Sequence, residues 1–329
     1  MYKRTLLAVS LTAALLTAGC SSGGNEPTVA TVNTTKDKKQ PDPNQIIIGQ
    51  VTGLGYSADG TSLYAATDNA LLPHKREGWL APLNRYDLTS LITTEKTMYI
   101  SGRDPEQGST PLGLLKSANS GKKFESSALA GVAALPTTTA ASYRKGTLYT
   151  YNKEAQGDFK AGLYISDDQG ETWRPTEMII QKSDIRALAV HPDHGNVLAI
   201  GTREGILFSE DSGNTVLVES PFFKNTTAMA FDLNNPDTLF VATQDEKGSY
   251  LYAFHNYRKL RSAPKSGFTY SPRITLPQGN RITAVAVNPK VDEMAIATES
   301  GNIYQFPRTK PSMASAALTQ QGTVQILKK

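Results

Sequence analysis

The sequence predicts an all-β fold, a β-propeller of six blades, behind a leader and a polar tether. Three observations carry this. A polar turn recurs in three copies, around Ser117, Asn119 and Gly121, around Ser166, Asp168 and Gly170, and around Ser209, Asp211 and Gly213, each after an apolar run. Short apolar strands ending in a small or polar residue recur at 63–67, 98–102, 148–152, 198–202, 239–243 and 294–298, and intervals of roughly 35–55 residues suit four-stranded blades. No segment of useful length carries the helical apolar period of about 3.6 residues. A seventh blade fits only if the irregular stretch 257–271 hides one.

Residues 1–16 place Lys3 and Arg4 ahead of an uncharged, Leu/Ala-rich run, the layout of a secretory leader. The run falls short of the ~20 apolar residues that span a bilayer. It ends at Leu16, Thr17, Ala18, Gly19 and Cys20, which resembles the bacterial lipoprotein box, and Cys20 is the only cysteine in 329 residues. The resemblance implies a signal peptide over 1–19 and lipidation of Cys20, which would hold the protein on the outer face of the bacterial cell membrane. Acyl chains at about 0.8 kcal/mol per buried CH₂ achieve this without a spanning helix. With Cys20 acylated, no thiol remains for a disulfide.

Residues 20–45 are rich in Ser, Gly, Thr, Asn, Pro and Lys, and bury too little apolar surface to offset their ordering entropy. They are expected to form a disordered tether, with the propeller over 46–329. The formal charge of +4 is small, and no basic stripe interleaves with aromatics, so nucleic acid is not an expected partner. Oligomeric state is not legible.

Within the propeller, inner strands of small apolar residues (53–56, 187–190, 228–231, 284–287) precede the second strands, across turns with Asp59-Gly60, Pro192-Asp193, Pro236-Asp237 and Asn288-Pro289. A closed ring has no exposed edges, so one terminus is expected to complete the blade of the other. Residues 323–327 and 46–48 are the candidates.

In the clearest turn, Asp168 can accept from backbone N–H groups further on, Gly170 can take a positive φ, and Trp173 can cover the turn with its indole N–H near polar partners. Ser166, Asp168, Gly170, Thr172 and Trp173 together resemble the bacterial neuraminidase repeat, or Asp box. The copies at 117–124 and 209–216 replace the Asp by Asn119 and the Trp by Val216, respectively. These residues, Asp211 and Gly213 included, are read as structural.

Chemistry in a propeller sits where the inner strands enter. Aligning them puts Thr52, Arg186, Thr227 and Thr283 at one level, with Gln50, Asp184, Asn225 and Arg281 two residues earlier on the same side. This polar ring could hold a ligand or simply hydrate a channel. His191 and His194 fall in a turn rather than at metal-ligand spacing, there is no phosphate loop, and neither metal nor cofactor is expected.

The segments 53–56, 111–117, 162–173 and 187–192 resemble glycosyl-hydrolase-like, sortilin-type propeller lipoproteins of Gram-positive bacteria, over roughly 46–254. Where that family carries histidines, this chain has Gln50, Thr52, Arg103 and a residue near Thr137, so a histidine site is not expected here. The resemblance implies a hydrolase-like fold more than a reaction. The favoured expectation is a non-catalytic surface domain that binds a glycan or protein over the propeller mouth. The alternative is a sialidase-like glycosidase with Asp184 as acid or base and Arg186 and Arg281 gripping an anionic sugar; it lacks a second carboxylate at the mouth.

Overall fold

The computed structural model describes residues 45–143, 146–178, 185–258, 272–312, 317–319 and 323–326. The leader, Cys20 and Asp184 lie outside them, as does the tether up to residue 44; Gln45, assigned to the tether from sequence, already belongs to a strand.

After β1 (Gln45–Ile47), the strands group into six antiparallel sheets that each follow chain order. Blade 1 holds β2 (Val51–Tyr56), β3 (Leu63–Thr67), β4 (Leu71–Lys75) and β5 (Gly78–Trp79). Blade 2 holds β6 (Asp87–Thr93), β7 (Met98–Asp104), β8 (Thr110–Ser117) and β9 (Glu125–Ser126). Blade 3 holds β10 (Thr137–Ala140), β11 (Leu148–Asn152), β12 (Gly162–Ser166) and β13 (Arg174–Pro175). Blade 4 holds β14 (Ala187–Val190), β15 (Leu198–Gly201), β16 (Ile206–Ser209) and β17 (Val218–Ser220). Blade 5 holds β18 (Thr226–Phe231), β19 (Thr238–Gln244), β20 (Gly248–His255) and β21 (Ile274–Pro277). Blade 6 holds β22 (Ile282–Val287), β23 (Met294–Thr298) and β24 (Ile303–Phe306).

The ring is therefore a six-bladed propeller. The stretch 257–271 falls between β20 and β21, which pair directly within blade 5. Its residues from 259 on lie outside the described set.

Closure differs from the expectation. Neither terminal strand completes a blade. β1 instead pairs with β25 (Thr323–Gln325), and Ile326 bridges in parallel to Trp79 on the outer strand of blade 1. Blade 6 gains its outer edge from 317–319, through a bridge between Tyr304 and Ala317 and the Leu318 N–H on the Ile303 carbonyl at 2.8 Å. Trp79 Nε1 donates to the Leu318 carbonyl at 3.1 Å, so one indole joins the first blade to the last. Each of these outer edges thus gains a bridge from the C-terminal segment without the exchange of a strand between blades.

Six hydrophobic clusters fill the six gaps between blades. Strand side chains alternate between faces, so each strand feeds two gaps. Near the axis the sheets converge, and small residues such as Ala65, Ala66, Ala199, Ala242, Ala295 and Ala297 are wholly buried there. Gly53 shows how close the approach is: a Cβ at that position would lie 2.8 Å from the Leu91 backbone nitrogen of the next blade. Farther out the gaps widen and take Leu71, Leu114, Ile165 and Phe208 on the third strands, each contributing about 1.5–3 kcal/mol on burial.

Candidate functional site

Chain direction sorts the loops onto two faces. Turns between first and second strands, and between third and fourth, lie on one face; turns between second and third strands, and the links between blades, lie on the other.

The first face is structural. In each of the three Ser-initiated turns the serine hydroxyl accepts from the glycine four residues on: Gly121 N at 3.0 Å, Gly170 N at 2.8 Å and Gly213 N at 2.9 Å. Asp168 accepts from Thr172 N at 2.9 Å and Thr172 Oγ1 at 2.6 Å, and Asp211 repeats both bonds with Thr215. Asn119 keeps only the backbone bond, from Lys123 N at 2.9 Å. The Thr172 hydroxyl and N–H hold the Asp168 carboxyl down to about 2. Gly170 has φ of 85°, as the turn requires, and Gln169 before it is also left-handed at 67°. Trp173 departs from its expected role: the ring is half-buried against the hydrophobic cluster between blades 2 and 3, and its buried indole N–H meets no described partner.

His191 belongs to the same face. Its Nδ1 accepts from Asp193 N and His194 N, each at 3.2 Å, closing the turn between β14 and β15. Asn288 Oδ1 does this in blade 6, accepting from Lys290 N and Val291 N, and Asp232 does it in blade 5 for Asn234 N. The imidazole is thus a turn acceptor. Among the described residues no cluster of three or more His, Cys, Asp or Glu could hold a metal.

The axial channel holds a cavity of about 160 Å³ lined by inner-strand residues of all six blades, Leu54, Leu91, Leu188, Met229 and Val285 together with Tyr56 and Thr138. Tyr143 crosses toward blade 5, its hydroxyl donating to the Leu233 carbonyl at 3.1 Å.

The second face carries the predicted ring, and the backbone fixes its levels. The carbonyls of Gln50, Asn225 and Arg281 accept from Asp68 N, Gln244 N and Glu299 N, the same closing bond in three blades. In blade 2 the matching pair is Asp87 and Arg103. Asp87 was missed from sequence because β6 reads Asp-Leu-Thr-Ser, without the small-apolar signature of the other inner strands.

The threonines have a different role from the one expected. The inner ladder of blades 1, 2, 5 and 6 shifts register around Thr52, Thr89, Thr227 and Thr283, so each is the extra residue of a β-bulge. Thr52 Oγ1 donates to the Leu88 carbonyl at 2.8 Å, and Thr283 Oγ1 to the Val51 carbonyl at 2.9 Å. Each bond ties one blade to the next. The Thr89 and Thr227 hydroxyls are buried and meet no described partner. Strict alternation also stops short of the outer ring, since Asn225 is left-handed at φ 53°.

Charges on this face are largely matched. Arg281 Nε is 3.0 Å from Glu299 Oε2, so its charge is paired within the mouth. Asp68 accepts from Gly49 N at 3.1 Å. Burial, then the nearby Asp68 charge, push the Asp87 carboxyl up, and Arg103 opposes them. Between blades 4 and 5, Arg186 and Asn225 meet the turn of Gln244, Asp245, Glu246 and Lys247 around an open pocket of about 550 Å³. Among the described residues of the predicted ring, Arg186 and Asn225 line it; the turn was not foreseen.

No family model matches the sequence, and no curated protein matches it. Among solved structures it is similar to the Niastella koreensis GH74 enzyme, with 16% identity and a TM-score of 0.54 over 79% of this chain and 44% of that one. It is also similar to the Xanthomonas campestris GH74 xyloglucanase, with 14% identity and a TM-score of 0.52 over 81% and 53%. The chain spans about half the length of these two enzymes. The β-propeller domain of Myceliophteria thermophila Cps50 (Swd1) matches at 15% identity and a TM-score of 0.51, over 82% and 87%. At these identities the likeness is one of fold.

Proposed function

We propose that this chain is a lipid-anchored propeller of the bacterial cell surface that binds a glycan or protein partner over its mouth without catalysis. The observation that carries the reading is the open pocket where Arg186 and Asn225 meet Gln244, Asp245, Glu246 and Lys247. Every lining side chain can donate or accept, and the two cations balance the two carboxylates. General acid catalysis needs a carboxyl raised toward neutrality. Asp245 is held the other way, its carboxylate accepting from Lys247 N at 2.7 Å and Gly248 N at 3.1 Å.

One observation favours a second reading, glycoside hydrolysis. Asp87, its carboxyl pushed up by burial and then by the neighbouring Asp68 charge, has a second carboxylate close enough to act on it, and a raised carboxyl beside another carboxylate is a pairing that acid–base hydrolysis of a glycosidic bond uses. Screening the full-length protein against aryl-glycosides, sialosides included, decides between them. The expected result is no turnover. Turnover abolished by Asp87→Asn or Asp184→Asn would replace the binding reading.

The anchor rests on the leader pattern and Cys20. Cys20→Ala should move the protein from the membrane fraction to the soluble fraction. Retention in the membrane after a high-salt wash would contradict lipidation.

A further inference from the structure

We propose that Tyr250 is the stacking platform of a neutral-sugar subsite at the rim of the Arg186 and Asn225 pocket, an inference that rests on this mouth being the binding face. Tyr250 and Tyr252 alternate along β20 and so share a face of the sheet. Their ring centroids are 6.2 Å apart, and the Tyr252 ring lies 5.3 Å from that of Phe223, which is buried between blades 4 and 5. The three rings form a run of tilted contacts, with interplanar angles of 57° and 35°, that leads from the interface to Tyr250. At that end, the Tyr250 hydroxyl donates to Asp245 Oδ1 at 3.1 Å, and Asp245 lines the pocket. The half-buried ring is thus held at both ends, and a platform fixed beforehand loses little freedom when a ligand lands on it.

The chemistry around it selects a sugar. An aromatic face carries negative charge density, which suits the C–H hydrogens on one side of a pyranose ring. The hydroxyls of that ring need donors and acceptors alongside, and Asn225, Gln244, Asp245, Glu246, Lys247 and Arg186 provide both. Two cations against two carboxylates leave no net field for an ionic ligand to follow. An extended peptide would seek a free strand edge. Here the pocket is walled by a turn whose Lys247 and Gly248 N–H groups already serve Asp245.

The test is calorimetric titration of the full chain, in a detergent without a sugar headgroup, with cellohexaose, laminarihexaose and mannohexaose, and with sialyllactose as the charged comparison. At least one neutral hexasaccharide should bind, with an affinity that changes less than about twofold between low and high salt. Tyr250→Ala should weaken it at least tenfold at unchanged melting temperature, and Tyr250→Phe, which keeps the ring and loses the Asp245 bond, should fall between. Unchanged affinity in Tyr250→Ala overturns the platform. If Arg186→Ala with Asn225→Ala still abolishes binding in that case, the mouth reading survives alone. Binding indifferent to all of these variants overturns both. Binding of sialyllactose only, or of no glycan, overturns the sugar subsite.

Discussion

Replacing Tyr149 by alanine is expected to destabilise the propeller by about 3–5 kcal/mol, the range for truncating a large buried aromatic. The Tyr149 side chain is 0% exposed and packs with Leu163, Ile165, Leu188 and Leu198 in the gap between blades 3 and 4. Its hydroxyl donates to the Gly195 carbonyl at 2.6 Å, reaching from β11 into the first turn of blade 4. Burial pushes the phenol up to about 12, so it remains a donor throughout the physiological range. Tyr149→Phe keeps the ring and strands that carbonyl, which should cost about 1–2 kcal/mol. Urea midpoints of the two variants separate packing from hydrogen bond. An alanine variant within about 1 kcal/mol of the parent would mean that the gap collapses around the loss and that blade-to-blade packing is looser than described.

Lowering the pH from neutral to about 4 should destabilise the protein through His191, by on the order of 2–3 kcal/mol. Its ring is 2% exposed, and burial, then the charge of His194, hold its pKa at about 4, below the ordinary 6.5. The unfolded chain therefore takes up the proton first. The stabilising contribution is complete above 6.5 and declines as the pH falls through the interval from 6.5 to 4. Protonation also removes the Nδ1 lone pair that accepts from Asp193 N and His194 N. His191→Asn should flatten this step while preserving the turn, because Asn288 closes the corresponding turn of blade 6. Asp168 and Asp211, held near 2 in the folded state, act in a lower window, losing their contribution between about 4 and 2. A melting temperature that is flat from pH 7 to 4 in the parent would remove His191 from this role.

The repeat was readable because turn chemistry and small-apolar strands are local. The second strand expected at 98–102 is β7, Met98–Asp104, and that at 294–298 is β23. Blade 2 escaped in part, since its inner strand alternates polar and apolar residues and its bulge carries Thr89 followed by Ser90. Ring closure was less readable, because Trp79 and Leu318 meet only through the completed circle. At the mouth, the level of Gln50, Asn225 and Arg281 follows from repeat alignment, but their partners do not. Asp68 and Glu299 come from the ends of second strands, and Arg281 pairs with the latter. Asp245 and Tyr250 become neighbours through the turn between β19 and β20, in which Asp245 also accepts from Lys247 N and Gly248 N.

The central claim is that the pocket between blades 4 and 5 binds and leaves its ligand whole. Saturation-transfer NMR on the full-length protein with a neutral hexasaccharide reads both properties in one tube. The account predicts transfer to the intact sugar, lost in Arg186→Ala with Asn225→Ala, and no new reducing-end anomeric signals on prolonged incubation. New reducing-end signals that disappear in Asp87→Asn or Asp184→Asn, or transfer that persists without Arg186 and Asn225, would contradict it.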